Sequence, residues 1–279
     1  MSEFFTLDNG DCVFFDEYGG IPANSADGNL TLVALHGLGG GGYFFAGIGR
    51  SLASRGRVIC LDMPGSGFSR RGDQAVSFDH FADAVVQLIE RNTSGRVALM
   101  GHSMGTIVAL KVYARIPNRI GSLIFVGGLP APLPEAQARL RDRAGLARSA
   151  GMAAVARTIV PVVFARRSLE AIPDKVGMFQ RLLALSDVEG YAQTALALAD
   201  ASAEDVVPRV RVPCLCVTGR EDRYAPPAAV RVFAESIPDA MYQELADCGH
   251  MPFFEAPEAF KDVVQSFLYE AKQQGDDLI

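Results

Sequence analysis

The 279-residue chain has no tryptophan, only 4 histidines and 5 cysteines, and no surplus of positive charge. Each scarcity narrows what the molecule can be. With 26 Lys and Arg against 32 Asp and Glu, the net charge is -6. That leaves no basic footprint for nucleic acid or for an anionic membrane surface. No apolar stretch is long and charge-free enough to span a bilayer. The opening "MSEFFTLDNG" lacks the basic and apolar regions of a signal peptide. A cytoplasmic location is therefore expected, with neither nucleic acid nor a membrane as the partner. An odd number of scattered cysteines reads as reduced thiols and not as a disulfide framework. Cys214 and Cys216 in "VPCLCVTG" read as small core residues of a strand, because no second Cys or His pair stands nearby to complete a metal site. Four histidines also mean four places for a general base: His36, His80, His102 and His250.

What is present is an ordinary globular composition, long enough for one large α/β domain or two small ones. "EFFTL" and "CVFFDEYG" flank "DNGD", a hairpin turn. Strand-like apolar runs then alternate with helical stretches: "LTLVALHG", a helix over Tyr43 to Ser54, "RVICLDMPGSGFS", and "SFDHFADAVVQLIERN" with Ser77 as N-cap. "RVALMGHS", "MGTIVALKVYARIP" and "IGSLIFVGGL" continue the alternation. This predicts a mostly parallel, doubly wound sheet. Residues 130–207 break the pattern with four helix-like pieces and no strand. The alternation resumes with "VPCLCVTG", "PPAAVRVFAESIP", "AMYQEL" and a closing helix from "PEAFKDVV", with "QQGDDLI" expected to fray. A core of residues 1–129 and 208–279 with a helical cap over 130–207 is the expected organisation, the cap lying over the carboxyl ends of the strands.

The run "LVALHGLGGGGYF" ends a buried strand on a glycine cluster that exposes backbone N–H groups. Gly37, Gly39 and Gly42 spell G-x-G-x-x-G, and Asp62 follows at the distance of a ribose-binding acid. A dinucleotide site is the rival reading. Against it, His36 abuts the first glycine, hairpin strands precede the motif, and Asp62 runs into a Pro-Gly turn. A nicotinamide enzyme also gives no reason for the next motif.

That motif is Gly101-His102-Ser103-Met104-Gly105, a G-x-S-x-G between a strand and a helix. Glycines at two residues' distance allow a turn too tight for side chains, and the following helix aims free N–H groups at the serine. A serine nucleophile needs a base and the base needs an acid. His250, in the loop "LADCGHMPFFEAP", is the candidate base; His80 reads as a packing or surface residue, and His102 is expected to point away from the nucleophile. Asp222 in "GREDRYAPP" is the candidate acid, with Glu221 the alternative, and "SLIFVGG" leads into a loop without a carboxylate.

With these pieces on the page, "HGLGG", "DMPGSGFS", "GHSMG", "GREDRYAPP" and "CGHMPFFEAPEAF", the chain resembles the α/β-hydrolase fold superfamily over nearly its whole length. The resemblance implies an oxyanion hole from the N–H groups of Leu38 and Met104, a pocket that includes His36, Gly37 and Gly39, and no metal or organic cofactor. The insert is similar to the four-helix cap of 3-oxoadipate enol-lactonase-like hydrolases. That implies a small lactone or ester as substrate; if it carries a carboxylate, Arg139, Arg143, Arg157, Arg166 and Arg167 are the candidates to clamp it, although most of these are expected to be solvated helix-face residues. C–C bond hydrolases of the meta-cleavage type and amide hydrolases share the scaffold. The C–C enzymes often carry Trp after the histidine, where this chain has Met251. A small-molecule receptor that keeps the same three residues is the alternative of another class.

Overall fold

The computed structural model describes residues 1–20, 30–72 and 74–276. Eight strands make one sheet in the order β1-β2-β4-β3-β5-β6-β7-β8. β1 (Ser2–Thr6) and β2 (Cys12–Tyr18) form the expected hairpin, with Gly10 at φ 89 in its turn. β2 runs antiparallel to β4 (Gly56–Leu61). From there β3 (Leu30–Leu35), β5 (Val97–His102), β6 (Ile120–Val126), β7 (Cys214–Gly219) and β8 (Met241–Leu245) are all parallel.

The central strands read as unbroken apolar runs because both their faces are covered. Every residue of β5 and of β7 is buried, whereas the edge strand β8 alternates exposed and covered positions. Helices α1 (Ala46–Leu52), α2 (Phe78–Asn92) and α3 (Met104–Arg115) follow β3, β4 and β5. The predicted cap of α2 is formed: the Ser77 hydroxyl accepts the His80 N–H at 3.1 Å. The helix read over Tyr43 to Ser54 is instead a 3-10 turn, Gly42–Phe45, followed by α1. Phe45, Phe81 and Phe125 lie wholly inside the core, each worth about 2–3 kcal/mol of apolar transfer.

Between β6 and β7 the chain leaves the sheet for five helices, not four. They are α4 (Pro134–Ala150), α5 (Met152–Val163), α6 (Arg166–Ala171), α7 (Pro173–Ala184) and α8 (Val188–Ala199). α6 escaped the sequence reading because six residues are too few to display a helical period. α4 packs along α8, and α5 on α7. Gly151, at φ 77, ends α4 and turns the chain into α5. The chain then returns through β7, α9 (Pro227–Glu235) and β8, and closes with α10 (Pro252–Glu255) and α11 (Pro257–Asp276). α11 continues into the stretch expected to fray; residues 277–279 lie outside the described ones. Among the described residues no helix is long and apolar enough to cross a membrane.

Candidate active site

Ser103 stands between β5 and α3 with φ 54 and ψ -118, a strained backbone for a residue with a side chain. Such a conformation costs about 1–3 kcal/mol and survives only where its surroundings over-determine it. Here the Ser103 N–H donates to Val126 O at 2.9 Å and its carbonyl accepts from the Thr106 N–H at 3.0 Å. The flanking glycines are steric requirements. A Cβ on Gly101 would lie 2.2 Å from Gly105 O, and one on Gly105 would lie 2.5 Å from Leu35 O.

His250 arrives from the loop after β8. Its Nδ1 and Asp222 Oδ2 are 2.8 Å apart, and both residues are buried. The second carboxylate oxygen of Asp222 accepts the N–H groups of Tyr224 and Ala225 at 2.8 and 2.9 Å. Asp222 is thus fixed by its own loop, with one oxygen left for the histidine. Glu221, the alternative acid, faces outward instead and accepts the Arg166 N–H at 3.2 Å. Ser103 and His250 line one cavity of about 800 Å³, part of it open to solvent. Ser103 Oγ makes no hydrogen bond among the described residues; catalytic hydrogen bonds of this kind often tighten only when substrate is bound.

Two features here were not foreseen. Gly127, at φ 52, lies against the acid and the base: a Cβ there would be 3.0 Å from Asp222 Oδ2 and 3.1 Å from His250 Nδ1. The loop after β6 supplies no carboxylate, as expected, but it supplies the space for one. His102 does not point out of the site. It lines the cavity, its ring centroid is 4.8 Å from that of His250, and its Nε2–H donates to His250 O at 2.9 Å. Burial and the adjacent His250 hold His102 far below the ordinary histidine range, so it stays neutral.

The glycine loop is committed to this site. A Cβ on Gly37 would stand 2.8 Å from His102 Nδ1 and 3.0 Å from Ser103 Cβ, so the backbone comes right up to the serine. Gly39 (φ 72) faces the helical insert, where a Cβ would meet Leu183 at 2.4 Å and Tyr191 at 3.0 Å. Leu38 and Met104 line the same cavity as Ser103. Asp62 has no room for a ribose: it is buried and accepts the N–H groups of Gly42 at 2.6 Å and Phe68 at 2.8 Å. Burial raises its pKa to about 6. It fastens two loops together, which removes the dinucleotide reading.

His36 is wholly buried beneath the loop, not in the cavity wall. Its Nδ1–H donates to Gly37 O at 2.8 Å and its Nε2 accepts the Met63 N–H at 2.9 Å, which fixes the neutral tautomer. Burial lowers its pKa from 6.5 to about 4. The unfolded chain therefore takes up the proton first. His36 contributes stability in full above about pH 6.5, and loses it as pH falls toward 4, about 3 kcal/mol in all. Denaturant unfolding at pH 7 and pH 5 should reveal a drop of about 2 kcal/mol or more, with His102 acting in the same direction. His36→Asn should be less stable at pH 7 but flatter with pH; an unchanged slope would contradict this account. His80 is elsewhere, buried against Asp11 at 2.5 Å under the N-terminal hairpin.

Of the five arginines considered, Arg139, Arg157, Arg166 and Arg167 are exposed. Only Arg143 lines the cavity. Its Cζ lies 5.2 Å from the centre of the Tyr224 ring, its Nη1–H donates to Tyr224 Oη at 3.4 Å, and its Nε is buried without a partner. Its neighbours on α4 are occupied differently, Arg141 by Asp200 and Arg148 by Glu189. The Tyr191 hydroxyl lies beside Arg143 but outside the cavity wall, and burial raises its pKa to about 12. Among the described residues no group of three His, Cys, Asp or Glu side chains is placed to hold a metal ion. The cysteines are free, and four of the five are buried.

Several known proteins are similar to this chain. 3-Oxoadipate enol-lactonase 2 of Acinetobacter baylyi is 28% identical over 211 residues, 76% of this chain and 78% of that protein. A 2-hydroxy-6-oxononadienedioate/2-hydroxy-6-oxononatrienedioate hydrolase of Cupriavidus pinatubonensis is 29% identical over 96% of this chain and 95% of that one. The crystal structure of the enol-lactonase from Burkholderia xenovorans LB400 superposes with a TM-score of 0.88 at 26% identity, covering 96% of this chain and 100% of that one. Residues 31–257 match the alpha/beta hydrolase fold family, so this chain belongs to that family and is a hydrolase.

Proposed function

We propose that this hydrolase cleaves a small carboxylic ester or lactone through an acyl-enzyme formed on Ser103. The observation that carries the reading is the buried Asp222–His250 hydrogen bond beside a serine held on a strained turn at a helix N-terminus. Ser103 Oγ attacks the carbonyl as His250 Nε2 takes its proton. Asp222 keeps the proton on His250 Nδ1 and stabilises the imidazolium. The N–H groups of Leu38 and Met104 receive the developing oxyanion, each worth about 3 kcal/mol in the transition state. The alcohol leaves with the proton from His250, and water then repeats the sequence on the acyl-enzyme. Helices α4 to α8 act as the lid over this cavity. The test is stoichiometric labelling of Ser103 by a fluorophosphonate. A folded protein that takes no label would sink the reading and favour a receptor that binds its ligand without turnover.

In this proposal the substrate carries a carboxylate, received by Arg143 at the lid side of the cavity. The support is that Arg143 alone of the five arginines lines the cavity, with its Nε buried and without a hydrogen-bond partner among the described residues. A charge-assisted hydrogen bond is worth about 1.5–3 kcal/mol. Arg143→Met should therefore raise KM by about 10- to 100-fold for a dicarboxylic acid monoester and change it little for the uncharged ester of equal length. Equal effects on both esters would remove Arg143 from substrate recognition.

A further inference from the structure

The base lies in the segment Gly249-His250-Met251, and every N–H of that segment is spoken for. Gly249 N–H and Met251 N–H both donate to Glu255 Oε1, each at 3.0 Å. The His250 N–H donates to Val163 O at 2.7 Å, on the last residue of α5. The other oxygen of Glu255 accepts the Ala165 N–H at 2.7 Å, at the elbow between α5 and α6. One carboxylate thus takes three backbone donors, one on each side of the base and one in the helical insert. An ionised carboxylate can do this because both its oxygens only accept; an amide of the same shape presents donors on one side. The approach is close enough to require glycine at 249, where a Cβ would lie 2.7 Å from both Ala165 N and Val163 O.

We propose that Glu255 is the positioning residue for His250, and that through it the base and the α5–α6 elbow are held as one unit. Glu255 lines no part of the cavity. It acts on the backbone that sets where the imidazole stands. The inference rests on the reading of Ser103 and His250 as nucleophile and base. A misplacement of about 1 Å at a reacting group can cost about 10²-fold in rate, which is the size of effect expected here.

The experiment compares Glu255→Ala and Glu255→Gln with the full-length wild type. The readouts are p-nitrophenyl acetate turnover, the rate of fluorophosphonate labelling, and amide deuterium exchange. Glu255→Ala, folded by circular dichroism, should lose about 10²-fold in kcat and in labelling rate, with KM changed by less than about twofold. Glu255→Gln keeps an acceptor for Gly249 and Met251 but turns its NH2 group toward Ala165 N–H. It should recover much of the rate, leave exchange over 248–252 near wild type, and speed exchange over 163–168. A folded Glu255→Ala with near-normal kcat, or a loss carried by KM alone, overturns the proposal. So does a Glu255→Gln variant no faster than Glu255→Ala. If Glu255→Ala does not fold, unchanged exchange over 163–168 in Glu255→Gln overturns it. Failure of the wild type to take the label would instead strike the serine mechanism, and the exchange arm would still decide the tether.

Discussion

Ser103→Ala is expected to abolish fluorophosphonate labelling and to lower kcat on esters by about 10⁵- to 10⁶-fold. The fold should stand, because the turn around residue 103 is held by backbone hydrogen bonds to Val126 and Thr106 and not by the hydroxyl. Alanine has the same difficulty as serine with φ 54, so the strain persists and the melting temperature should move little. The rate that survives measures what the pocket and the backbone donors do without a nucleophile. Wild-type turnover in a clean preparation of the variant would eliminate Ser103 as the nucleophile.

Asp222→Asn tests a different element of the mechanism. Asparagine can still accept the Tyr224 and Ala225 N–H groups through its oxygen. Its NH2 then faces His250 Nδ1, which must become the acceptor, and the ring takes the tautomer with the proton on Nε2. That nitrogen can no longer remove the serine proton. In other serine enzymes this change costs about 10⁴-fold in kcat with the geometry intact, and a loss of about 10³- to 10⁴-fold is expected here. Glu221→Gln, which disturbs only a contact to the Arg166 N–H, should stay within about twofold of wild type. The reverse pattern would transfer the acid role to Glu221.

The parts of the site that could be read from the sequence are those whose physics is local. A Cβ on Gly101 would collide with Gly105 backbone within the same strand-turn-helix, so that much of the turn is written in the local spacing. Asp222 and His250 stand at the ends of strands that a parallel sheet must bring to one edge. The rest depends on segments distant in sequence. Nothing near Gly127 announces that an acid 95 residues later and a base beyond it will pass against its Cα. Arg143 could not be picked from among five arginines, because facing the cavity while the other four face solvent is a property of how the insert packs over the sheet. His102 was expected to point away from the nucleophile because it adjoins Ser103; the hydrogen bond that draws it to His250 O comes from the far end of the chain.

The contact of Gly39 with Leu183 and Tyr191 bears on how substrate preference could be altered. The insert enters and leaves the sheet through two loops, which invites transplanting it whole from a relative. Gly39 makes that graft incomplete. Its left-handed backbone is seated directly under α7 and α8, one residue from a proposed oxyanion donor. A chimaera whose new helices carry bulkier groups over residue 39 would press on that donor, and a shorter pair would leave it unsupported. Recipient loop and donor helices would have to be exchanged as a matched set for specificity to change without loss of turnover.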